Sequence, residues 1–188
     1  MSTSSSARAS AEAQPPLPSA TAGAARQGAP APSQLRTAVP EAVVLPDGVR
    51  MVVRPVGADA RGRLAVPDDV HQAGWWSGGA RLGDRYGSMV LVGHVDAASQ
   101  GIGDMAGVLR SRKGDRVRVD GAGLAQTYQV TATRQLPKGD LAGAVVGGAR
   151  LFDQRTPSRL VLVTCSGPFD PATRHYRDNF VVVAAPVA

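Results

Sequence analysis

Apolar residues gather along this chain in short runs, some unbroken and some of period two, the marks of buried and of half-buried strands. "VVLPDGVRMVVRPVG" (43–57) predicts two short strands around an Asp-Gly turn. "SMVLVGHV" (88–95) predicts a buried strand bounded by Gly87 and Gly93. "DRVRVD" (115–120) alternates strictly, and "QTYQVTATRQL" (126–136) is β-branched and amphipathic. "RLVLVTC" (159–165) and "NFVVVAAP" (179–186) supply the last strands, with a Gly-Pro turn directly after the first of them. The best helical segment, "DMAGVLRSR" (104–112), is long enough for one or two turns. Many short strands without long alternating helices argue for an antiparallel barrel or sandwich.

The first 40 residues break this pattern. Ala, Ser, Pro and Gly supply 26 of them, and none is aromatic. Such a segment cannot bury enough apolar surface to offset its ordering entropy. Residues 1–41 therefore read as a disordered linker and residues 42–188 as the folded domain.

Composition narrows the function classes. The 188 residues are 43% hydrophobic but only 4% aromatic, so Val, Leu and Ala must do most of the packing. The net charge is +6, carried almost wholly by arginines spread along the chain; Lys113 and Lys138 are the only lysines. No basic run is interleaved with aromatics, which argues against nucleic acid as a partner. A single cysteine excludes an internal disulfide and a multi-cysteine zinc site. His71, His94 and His175 show no metal-ligand spacing, and neither metal nor cofactor is expected. No stretch approaches the ~20 apolar residues of a membrane span, and the N-terminus lacks the regions of a signal peptide.

The chemistry gathers at strand ends. Cys165 stands where a strand meets a turn, with arginines just downstream. Positive charge favours the thiolate, the reactive form. A cysteine nucleophile also needs a proton partner. His94 follows "MVLVG", at the end of a buried strand; His71 in "PDDVHQAG" and His175 in "RHYRD" read as loop and turn residues. Arginine is a planar donor fork suited to a carbonyl oxygen that becomes negative. Arg177 precedes the last strand, and pairing of the two final strands would bring it near Cys165; Arg174 lies deeper in the turn. Taken singly, each group has an ordinary explanation as an inert thiol, a satisfied imidazole or a solvated charge.

"LVLVTC", an arginine twelve residues later and "GHVD" about seventy residues upstream together resemble the sortase signature. "VTCSGPFDPATRHYRDNFVVVA" and "AVPDDVHQAGWWSGGARLGDRYGSMVLVGHVD" are similar to the actinobacterial class E/F branch, over residues 42–186. The resemblance implies a closed β-barrel of about eight strands and a transpeptidase. It implies Cys165 as nucleophile, His94 as acid/base partner and Arg177 as the donor to the substrate carbonyl. Thr164 and Ser166, beside the cysteine, are implied in substrate binding. The implied substrate is an LPXTG-like sorting signal, cleaved through a thioacyl intermediate and passed to an amine of cell-wall precursor or pilin. The implied enzyme is a monomer at the extracellular face of the membrane.

Three departures from that branch stand out. Ser166 replaces a usual glycine. Residues 138–159 depart from a Phe-Pro-Thr-like pattern, with Leu141 in place of the aromatic, in the expected loop between the strands flanking the groove. The family's N-terminal membrane helix has no counterpart here, so a shortened chain beginning in its extracellular linker is expected. Two rivals remain at this point: a peptidase that hydrolyses the same intermediate, and a non-catalytic barrel that only binds peptides.

Overall fold

A computed structural model describes residues 36–60 and 62–187. Twelve strands follow in chain order: β1 (Ala42–Val44), β2 (Arg50–Val56), β3 (Gln72–Trp76), β4 (Ser88–Gly93), β5 (Asp96–Ala97), β6 (Gly101–Ile102), β7 (Arg116–Gly121), β8 (Leu124–Pro137), β9 (Val145–Val146), β10 (Ala149–Arg150), β11 (Arg159–Asp170) and β12 (His175–Pro186). Eight of them close a barrel in the order β1-β2-β3-β4-β11-β12-β8-β7. Two short 3-10 helices, Asp104–Arg110 and Lys138–Gly143, complete the described fold. The expected mainly-β barrel of about eight strands with one or two short helices is thus what forms.

The barrel is mixed rather than antiparallel. β2 pairs with β3 in parallel, and so does β4 with β11. A parallel pair needs a long crossover, and residues 57–71 and 94–158 supply the two. β3 carries only a weak strand signal in sequence: in "QAGWW" the two tryptophans favour a strand, but Ala and Gly do not, and there is no alternation. Packing makes it a strand, since a Cβ at Gly74 would lie 2.9 Å from the Val56 side chain.

Alternation on the barrel strands divides the apolar residues into two cores. Leu160 and Leu162 of β11 join Val43, Met51, Leu91 and Val182 inside the barrel. Val161 and Val163 face outward and join Val90, Val92, Val181 and Val183 in a second cluster. The connection between β8 and β11 roofs this outer cluster, with Leu141 and Phe152 packed against it. Phe152 also meets Trp76 edge-on at 5.6 Å. The buried Arg159 pins the roof: its Nε donates to Ser88 Oγ at 2.8 Å, and its guanidinium donates to the carbonyls of Val146, Ala149 and Arg150.

The expected linker lies outside the described residues up to position 35. Residues 36–41, also read as linker, already engage the barrel. Ala38 is buried and exchanges two 2.9 Å backbone bonds with Leu82, and the Glu41 amide donates to Asp120 O at 2.8 Å.

Candidate active site

The two halves of the site meet because β4 and β11 run side by side in the same direction. Their last register pair is Gly93 with Thr164. One step further along both chains stand His94 and Cys165. Both positions continue the outward face of Val92 and Val163, and both side chains are half-buried. A cavity of about 640 Å³ opens over them, lined also by Asp96, Ile102, Lys138, Phe169, Arg174, His175 and Tyr176.

The strand ends are held rigidly. Thr164 Oγ1 donates to Gly93 O at 2.9 Å, tying the two strands one residue before the thiol and the imidazole. A Cβ at Gly93 would lie 2.6 Å from Met105 Cγ, so glycine lets the first 3-10 helix pack directly beneath the His94 turn. Thr164 and Ser166 are both buried, on the face of β11 opposite Cys165, and neither lines the cavity. The Ser166 hydroxyl has no partner among the described residues. Of the two, Thr164 ties β11 to β4, through its bond to Gly93 O.

The expected Gly-Pro turn after Cys165 is instead a bulge. β11 continues to Asp170, and its pairing with β12 shifts between Ser166 and Phe169. Gly167, at φ 75°, supplies the left-handed residue that the shift needs. The reversal comes later, at residues 171–174, where the Ala172 amide donates to Asp170 Oδ1 at 3.0 Å. Arg174 closes this turn at φ 57°, a conformation uncommon for a side chain of its size.

Pairing puts Asn179 directly opposite Cys165. Arg177 lies two residues from Asn179, on the outward face, at the diagonal step from the thiol. Its guanidinium faces Asp170 Oδ2 at 3.9 Å and is largely exposed. The arginine that lines the cavity is Arg174. His175, read from sequence as a turn residue, opens β12 and lines the cavity too.

His71 is held elsewhere. It precedes β3, and its Nδ1 lies 2.9 Å from Asp104 Oδ1 at the start of the first 3-10 helix. The hydrogen bond to Asp104, then its charge, raises the His71 pKa above 6.5. A raised folded value means that the pair stabilises fully below the unfolded pKa and is lost as pH rises through the folded one. An NMR titration is expected to show the His71 midpoint above 6.5 and its return toward that value in Asp104→Asn.

Asp96 and Tyr176 had no assigned role from sequence, although "GHVD" and "YRD" contain them. Nothing in the sequence shows that they meet, yet Tyr176 Oη donates to Asp96 Oδ2 at 2.6 Å.

A closed barrel that presents a thiol in a common cleft with the His94 imidazole carries the groups a cysteine acyl-transfer enzyme requires. The Sortase domain family model matches residues 47–187, and the chain belongs to the sortase family, as a sortase-type cysteine transpeptidase. Solved structures agree on the fold. The lid mutant of sortase A from Corynebacterium diphtheriae superposes with a TM-score of 0.58 at 16% identity, covering 84% of this chain and 74% of that one. SrtA sortase from Actinomyces oris gives 0.58 at 19%, covering 81% and 80%. The pilus-related sortase C of Group B Streptococcus gives 0.56 at 13%, covering 81% and 68%. No curated protein matches the chain. Sortases are membrane-associated surface enzymes that act on sorting signals and on amine acceptors of cell wall or pilin. Among the described residues no helix is long and apolar enough to cross a membrane.

Proposed function

We propose that this transpeptidase cleaves an LPXTG-like sorting signal, with Cys165 as nucleophile, His94 as acid/base partner and Arg177 as the donor to the substrate carbonyl. The observation that carries the reading is the shared cleft of Cys165 and His94 at the ends of two adjacent parallel strands. Cys165 Sγ attacks the threonine carbonyl carbon, and the guanidinium stabilises the oxygen that becomes negative. The bond to the glycine nitrogen breaks, and the leaving amine takes its proton from the His94 imidazolium. The acceptor amine then attacks the thioester, returns a proton to His94 and releases the thiolate. Water in place of the amine would give hydrolysis through the same intermediate.

On this reading the enzyme is a monomer at the extracellular face of the membrane. The Ala/Ser/Pro-rich N-terminal segment is its spacer, and the catalytic domain is the barrel. Residues 138–159 roof the outer cluster beside the cleft and bear on which side chains the sorting signal carries.

Mass spectrometry after incubation with a panel of sorting-signal peptides, with and without an amine, is the direct test. The expected result is a thioacyl adduct that becomes ligated product when the amine is present; no adduct with any peptide would overturn the proposal. The same assay examines the arginine. Arg177→Lys is expected to lower kcat/KM by about 100-fold, because an ammonium lacks the planar fork. Near-normal turnover of that variant, with a loss in Arg174→Ala, would assign the donor to Arg174.

A further inference from the structure

Resting on the assignment of Cys165 and His94 above, we infer that Tyr176 is a positioning residue. Its bond to Asp96 latches the His94 loop onto the strand pair that carries the thiol. His94 itself belongs to no strand: β4 ends at Gly93 and β5 begins at Asp96. The near end of this two-residue link is fixed by the barrel. Its far end is held by the Val95 carbonyl, which accepts from the Gly103 amide at 2.9 Å, and by the two-residue pairing of β5 with β6. Neither contact reaches the Cys165 strand. The Tyr176 hydroxyl does, donating to Asp96 Oδ2 at 2.6 Å across 80 residues of sequence. A phenol donating to a carboxylate makes a short, charge-assisted bond.

The phenol is itself well placed to serve as the fixed end. Tyr176 pairs with Phe169 across β11 and β12, and the two rings meet edge-on at 5.3 Å. The bond to Asp96 is the chief reason that its pKa is raised, followed by burial and the charges of Asp96 and Cys165. The hydroxyl therefore keeps the proton that it donates.

The latch also governs charge around the thiol. The titratable and charged side chains that line the cleft with His94 are Cys165, Arg174, His175 and Tyr176 from the hairpin, Lys138 from the second 3-10 helix, and Asp96 from its own loop. Asp96 is the one carboxylate among them, and Tyr176 occupies it. A carboxylate released from the phenol would stand unmasked in the cleft that holds the thiol. Negative charge there disfavours the thiolate.

The test uses the full chain and two readouts. Tyr176→Phe keeps the ring stack and removes only the hydroxyl. It is expected to lower kcat/KM for a sorting peptide by about 10-fold, mainly through kcat. It is also expected to move the pH midpoint of Cys165 alkylation by iodoacetamide upward by about half a unit. Adding Asp96→Asn should return that midpoint, by removing the charge, while kcat/KM stays low because the bond is still missing. Wild-type kinetics and an unshifted alkylation profile in Tyr176→Phe would overturn the inference. So would a loss of activity that merely follows a lower melting temperature with the profile unchanged. Alkylation needs no peptide, so failure of the unaltered protein to turn over any sorting signal would count against the proposed function alone.

Discussion

Replacing Cys165 with alanine is expected to leave a folded barrel that forms no adduct with any sorting-signal peptide. The thiol is the chain's only one, so no second cysteine can substitute. It is half-buried at the rim of the outer cluster, and trimming one sulfur there should change stability by no more than about 1 kcal/mol. Activity should fall on the order of 10⁴-fold or more, since losing a nucleophile removes the covalent route itself. Circular dichroism should therefore superpose on that of the unaltered protein while product formation disappears. A Cys165→Ala protein that still releases cleaved peptide would move the chemistry to another group. One that binds peptide as before, with an unaltered protein that forms no adduct, would favour the peptide-binding rival.

The legibility of this fold in its sequence follows the burial of each element. β7 and β8 carry alternation because one face of each meets the barrel interior and the other mostly solvent, and β4, β11 and β12 carry unbroken apolar runs because one face is buried in the barrel and the other in the outer cluster. β3 carries neither: three of its five residues are buried, one of them a glycine, and its partners rather than its propensity make it extended. The parallel pairings were equally hidden, because period two is the same in either direction. At the site, Cys165 and His94 were legible as strand-end residues, and their meeting needed only that β4 and β11 lie adjacent. Arg177 was harder. Its place diagonal to the thiol follows from the Cys165–Asn179 pairing, but beyond Ser166 the Gly167 bulge shifts the register, the guanidinium faces Asp170, and Arg174 lines the cleft. The Tyr176 bond to Asp96 joins distant segments and left no local pattern at all.

Truncation from the N-terminus is expected to be harmless up to a sharp limit. A chain beginning at Arg36 should melt with the full chain, because the residues removed carry little apolar content to contribute to a core. Beginning at Ala42 removes the paired bonds of Ala38 with Leu82 and the bond from Glu41 to Asp120. Each is worth about 1 kcal/mol, so the melting temperature should drop by several degrees. Beginning at Gly57 removes β1 and β2 and with them Val43, Leu45, Met51 and Val53, all buried in the main core. At about 1.5–3 kcal/mol for each buried side chain, their loss rivals the whole stability of a domain. It also opens the barrel. β1 joins β2 to β7, and β2 pairs with β3, so β3 and β7 would be left with unpaired edges. Arg50, whose guanidinium bonds Asp120 at 2.7 Å, goes too. That chain should be unfolded or aggregated at room temperature, with no cooperative transition in a thermal melt. A cooperative melt from the chain beginning at Gly57 would show that six strands suffice, and that β1 and β2 only cover a core already formed.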